Sequence, residues 1–110
     1  MYKLCVFGGT TEGRELVEFL NTQPCRVTAC VATEYGQTLL PEGENLTVSA
    51  RPLPAGEIGA LLQAERFDLV IDATHPYAAS ITRSIAAACE AAGVEHWRLL
   101  RGASEAPEDA

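Results

Sequence analysis

A chain of 110 residues, 47% of them hydrophobic, is sized for one compact domain with a real core. Such a domain hides about two-thirds of the surface its unfolded form exposes. A formal charge of −7 excludes a general nucleic-acid binder, which needs a basic face. No apolar run approaches the ~20 residues of a membrane span. The four cysteines, at 5, 25, 30 and 89, lack C-x-x-C spacing, and with two histidines they make no zinc pattern. The expectation is reduced thiols, no metal and a cytoplasmic protein whose N-terminus runs into a strand without a signal-peptide pattern.

In chain order, Leu4-Cys5-Val6-Phe7 predicts a buried first strand over about 2–7. Leu16, Val17 and Leu20 at helical spacing predict a helix over about 12–22, closed before Pro24. Arg26 to Ala32 reads as strand two, Tyr35-Gly36 as a turn, and 37–40 as a short helical turn. Leu46 to Ala50 reads as strand three. Pro52 and Pro54 open a helix that carries Ile58, Leu61 and Leu62 on one face. Asp68 to Asp72 is an apolar run of the kind buried on both faces in parallel sheets. A long helix is expected from Tyr77 to Ala92, with Ile81, Ile85, Cys89 and Ala92 on a stripe and Gly93 as its cap. His96 to Leu100 reads as strand five. Residues 103–110 read as an acidic, frayed tail or the start of a linker, leaving 1–102 as the folded domain. Alternating strands and helices imply an α/β Rossmann-like, doubly wound parallel sheet of about five strands in the order 3-2-1-4-5. Ligands bind such sheets outside the carboxyl ends of strands one and four, where the winding reverses.

Two unusual loops fall at those ends. Gly8-Gly9-Thr10-Thr11-Glu12-Gly13-Arg14 joins strand to helix, the geometry that offers backbone N–H groups and a helix N-terminus to a phosphate. It departs from the dinucleotide fingerprint G-x-G-x-x-G because Thr10 replaces the middle glycine. Gly8 is expected to make the tight turn, Gly13 to let helix and strand pack closely, and the Thr10 and Thr11 hydroxyls to add phosphate donors. Glu12 suits the helix dipole and is near enough to reach a ribose. A bare structural turn is the competing reading. The end of strand two offers Ala32-Thr33 rather than an acid, so a 2′-phosphate is permitted, with Arg14 or Arg51 as its partner. Glu34 turned inward would reverse that preference for NADPH and favour NADH.

The second loop is Asp72-Ala73-Thr74-His75-Pro76-Tyr77-Ala78. Pro76 holds His75 extended and suits the first helical position, which places His75 near the cap. Histidine is the side chain suited to proton transfer at physiological pH, so His75 is a candidate ligand contact or proton shuttle, and Tyr77 carries a hydroxyl. These two are the catalytic candidates. Against them stands a passive turn in which Asp72 and Thr74 merely bond the loop. His96 lies away from this edge and reads as structural or exposed. Trp97 reads as strand packing, beside Arg98 and Arg101.

Phe7–Arg14, Val31–Gly36 and Val70–Ala78 together resemble, in order, the motifs of the precorrin-6A reductases of cobalamin biosynthesis and their cobalt-precorrin counterparts. The resemblance runs from residue 3 to about 101. It implies a reductase that passes hydride from a nicotinamide cofactor, NADPH or NADH, to the tetrapyrrole precorrin-6A, giving precorrin-6B. It also implies two Rossmann-like domains with the cofactor in the cleft between them. On this resemblance Gly8, Gly9, Thr10, Thr11, Glu12, Gly13 and Arg14 take the phosphate-binding role. Thr33 and the loop containing Asp72, Thr74, His75, Pro76 and Tyr77 take cofactor-facing or cleft-facing positions. Two departures stand out. The chain has roughly half the family's length, and Ala50-Arg51-Pro52-Leu53 sits where a glycine-arginine-leucine motif is expected. The expectation is therefore the cofactor-binding half of a longer enzyme whose missing C-terminal domain supplies surface for the anionic tetrapyrrole. Such a half binds nucleotide weakly and does not turn over. The alternative is a stand-alone nucleotide-binding or sensing module, and a flavodoxin-like flavin holder is a weaker third.

Overall fold

The computed structural model describes residues 1–100. The expectations for Arg101 and for the 103–110 tail lie outside those residues. Five strands form one parallel sheet: β1 (Tyr2–Phe7), β2 (Cys25–Val31), β3 (Leu46–Ala50), β4 (Leu69–Asp72) and β5 (His96–Arg98). Their order, β3-β2-β1-β4-β5, is the one the sequence pattern predicts. The connecting helices are α1 (Thr11–Leu20), α2 (Glu34–Thr38), α3 (Ala55–Glu65) and α4 (Ala79–Ala92).

The alternation of strand side chains divides the core in two. Leu4, Val6, Val27, Ala29 and Ile71 face the α1 side and close over Val17. Cys5, Phe7, Cys30 and Val70 face the other side, where Ile58 and Leu62 of α3 and Ile85 and Cys89 of α4 cover them. Central strands thus lose water on both faces, as their unbroken apolar runs require. The four cysteines are free and buried. Burial, helped by the nearby Asp72 carboxylate, pushes the Cys89 thiol up. Cys5 is held well above the usual thiol range by its hydrogen bond to Cys30 and by burial, while that bond draws Cys30 down. Among the described residues no helix is long and apolar enough to cross a membrane.

Several boundaries differ from the sequence pattern by a residue or two, as where α1 ends at Leu20 and where α3 starts at Ala55 with Pro54 as its N-cap and Pro52 outside it; three more differ for a local reason. The helix α2 starts at Glu34 because Thr33 caps it, accepting the Gly36 N–H at 3.0 Å; Tyr35-Gly36 lies inside the helix. The helix α4 starts at Ala79, not Tyr77. A turn closed by Ala78 N–H to the His75 carbonyl, at 2.9 Å, takes up Pro76 and Tyr77, so Pro76 is not the first helical residue and His75 is not its cap. Finally, β5 ends at Arg98, and Trp97 is 55% exposed with its indole N–H on Glu95 at 2.8 Å, rather than packed in the sheet.

Candidate functional site

The carboxyl ends of β1 and β4 meet at a pair of loops joined by one side chain. Thr10 stands at the N-cap of α1 in an extended backbone conformation. Its Oγ1 accepts the Gly13 N–H at 3.0 Å and donates to the Ala73 carbonyl at 2.8 Å. A hydroxyl has one proton, so Thr10 cannot also donate it to a phosphate as the sequence suggests. Its side chain ties the β1–α1 loop to the β4–α4 loop instead. Gly13 completes the join: a Cβ there would lie 3.0 Å from the Ala73 Cβ, so any larger residue would push the two loops apart by a few tenths of an ångström. The tight turn belongs to Gly9, at φ +127, not to Gly8, where a Cβ would make ordinary contact with Val31. Gly8 N–H is used by the Cys30 carbonyl at 2.8 Å. The backbone N–H groups of Gly9, Thr10 and Thr11 have no protein partner among the described residues, as expected ahead of a helix.

Gly9 is the shared rim of three depressions. The first, about 520 Å³, lies between α1 and α2 and is lined by Thr10, Thr11, Arg14, Thr33 and Tyr35 among others. The second, about 210 Å³, opens on the other side of the sheet beside Ala32, Arg51, Leu53, His75 and Ile81. The third, about 350 Å³, runs from Thr11 and Glu12 to His75, Pro76 and Leu99. Among the described residues Arg14 makes only a 4.0 Å contact with Glu18, leaving its guanidinium ready for an anion. Thr33 uses a lone pair on Gly36, and its proton has no acceptor among the described residues. Arg51 is paired with Glu57 of α3 and faces the second depression, not the one that Arg14 and Thr33 share.

The β4–α4 loop is held from within. Asp72 is 1% exposed, and its Oδ1 accepts the Thr74 N–H at 3.0 Å and the Thr74 hydroxyl at 2.6 Å. Its carboxylate is therefore turned away from the open edge. The charge is met by Arg98 of β5, 3.1 Å away, a contact that pattern reading missed. Only the parallel pairing of β5 with β4, which sets Arg98 opposite Asp72, reveals it. His75 is exposed, with Nδ1 accepting the Tyr77 N–H at 3.2 Å. That bond places the proton of the neutral ring on Nε2. The Tyr77 ring lies 5.1 Å from the His75 ring, is 89% exposed and lines none of the three depressions.

A doubly wound parallel sheet with a glycine loop at its switch point defines a Rossmann-like α/β domain. The enzyme WbmH of Bordetella bronchiseptica, solved in complex with NAD+, has this fold, with a TM-score of 0.73 over 88% of this chain and 38% of that one at 17% identity. The family model for precorrin-6x reductase CbiJ/CobK matches residues 3–110, and the chain belongs to that family. A cobalt-precorrin-6A reductase of Salmonella typhimurium is 37% identical over 89 residues, covering 81% of this chain and 34% of the relative. A precorrin-6A reductase of Mycobacterium tuberculosis is 32% identical over 107 residues, covering 92% of this chain and 40% of the relative. The solved structure of CobK precorrin-6A reductase superposes with a TM-score of 0.75 at 29% identity, covering 93% of this chain and 38% of that one. The chain thus spans little more than a third of the length of these relatives.

Proposed function

We propose that this chain is the cofactor-binding part of a reductase that transfers hydride from NADPH, or NADH, to precorrin-6A or cobalt-precorrin-6A. The observation that carries this reading is the row of amides at Gly9, Thr10 and Thr11, without a partner among the described residues and set on the rim shared by three depressions. Amides at a helix N-terminus suit a diphosphate, since they meet its oxygens with donors and with the positive end of the helix dipole. The apolar slot of Leu53 and Ile81 would hold a flat base, and the hollow between Glu12 and Pro76 would hold the other end. The preference for NADPH rests on Arg14 and the uncommitted Thr33 proton, which line one hollow at the end of β2. Among the described residues no acidic side chain lines that hollow.

A bound dihydronicotinamide would supply the hydride, and this chain's task is to hold and orient it. His75, exposed at the loop with its neutral-ring proton on Nε2, would contact the cofactor or substrate, and Tyr77 is a second candidate for the same edge. Asp72 and Thr74 act by shaping the loop. The tetrapyrrole's carboxylates find little positive surface on a chain of net charge −7. The part of the family's length absent from this chain is the proposed source of that surface and of turnover.

Calorimetric titration of the 110-residue chain with NADPH and NADH tests the reading. Binding of NADPH is expected, and no heat with either nucleotide would overturn it. Arg14→Ala should weaken NADPH about tenfold, the worth of one hydrogen bond to a charged group, while leaving NADH nearly unchanged. Equal losses for both would remove Arg14 from the 2′-phosphate.

A further inference from the structure

Arg98 has no place in the reading above, yet it makes a dense set of polar contacts at the carboxyl edge. Its Nη1 donates to the carbonyl oxygens of Thr74 at 2.9 Å and Asp72 at 3.2 Å, besides the Asp72 carboxylate at 3.1 Å. Its Nη2 lies 3.4 Å from the His75 carbonyl. Three carbonyls of one loop therefore converge on a single guanidinium. The planar fork of arginine suits such a cluster, and a lysine ammonium does not. The loop needs an outside hold because α4 has no side-chain cap: Ala78 occupies that position. On its other flank the same loop is tied to Thr10 through Ala73.

We propose that Arg98 is a positioning residue that sets His75 over the Gly9–Glu12 loop by gripping the oxygens of residues 72, 74 and 75. It touches neither cofactor nor substrate and acts through His75. The proposal rests on the reading of His75 as a contact for the bound nucleotide, and its test separates the two. Arg98→Met alone leaves the Asp72 charge buried without a partner and is expected to unfold part of the chain. The double variant Asp72→Asn/Arg98→Met removes both charges and keeps the shape.

Nuclear magnetic resonance of the imidazoles gives a direct readout, since the chain has two histidines and His96→Gln leaves one. In the double variant the His75 ring signals should move and the ring contact with Tyr77 should be lost. Arg98→Lys should keep the charge without restoring the signals. His75→Gln should weaken NADPH about tenfold in the natural chain and have no further effect in the double variant, because the two changes act on one contact. Additive losses, or His75 signals unmoved in the double variant, would overturn the proposal. If His75→Gln leaves NADPH affinity unchanged in the natural chain, the reading of His75 as a contact fails, and the imidazole signals alone decide Arg98.

Discussion

The Thr10 hydroxyl is committed at both ends, and its loss should be felt as stability before it is felt as binding. Replacing it by valine keeps the branched shape but removes the helix cap and leaves the Ala73 carbonyl without its donor. A lost cap costs about 1 kcal/mol and an orphaned buried acceptor about 1–3 kcal/mol, so Thr10→Val should lower stability by about 2–4 kcal/mol. Thr10→Ser keeps the hydroxyl and should lose less than about half of that. Urea denaturation of both variants checks the ordering, and equal losses would mean that the methyl group matters more than the bonds. The sequence carried the residue types of this site but not the fate of each proton. A threonine in place of a fingerprint glycine reads as an extra donor until its acceptor, 63 residues away, is known. Arg98 was hidden in the same way, since its partners become neighbours only through strand pairing.

Strands were legible because unbroken apolar runs such as Leu69-Val70-Ile71 have few alternatives in an alternating pattern. Helix starts were harder, because they depend on which side chain satisfies the first amides. Thr33 announces α2 once it is read as a cap, whereas the turn at His75–Ala78 that delays α4 has no side-chain cap to announce it. Helix ends show a testable contrast. Both α3 and α4 close on a left-handed residue, Arg66 at φ 55 and Gly93 at φ 71. Glycine adopts that conformation without steric cost, and a residue with a Cβ does not. Gly93→Ala should therefore destabilise by about 1 kcal/mol and Arg66→Gly should stabilise by roughly 0.5 kcal/mol. Thermal melting of the two variants should shift in opposite directions. A fall in both would show that the Arg66 side chain contributes more than its strain costs.

For the molecule as a whole, the buried thiols set an alkaline limit. Cys5 and Cys89 hold their protons above the usual thiol range in the fold, whereas the unfolded chain releases them within it. Above about pH 8.5 the unfolded state therefore binds fewer protons, and stability, fully present at neutral pH, falls as pH rises toward the folded values. The slope should reach about 1.4 kcal/mol per pH unit for each retained proton, offset in part by Cys30, which is shifted the opposite way. Urea midpoints between pH 7 and pH 10 measure it. A flat profile would mean that the thiols ionise alike in both states.

The Asp72–Arg98 pair has a bearing on how the protein behaves in brine. At about 1 M sodium chloride the reach of an exposed charge shrinks to roughly 3 Å, which dampens whatever pull Arg14 has on an incoming anion. Asp72 is sealed from those ions, so the shape of its loop should survive the same conditions. Concentrated salt thus offers a way to switch off attraction while leaving architecture intact, and a His75 spectrum unchanged in brine beside a fading NADPH affinity would be its signature.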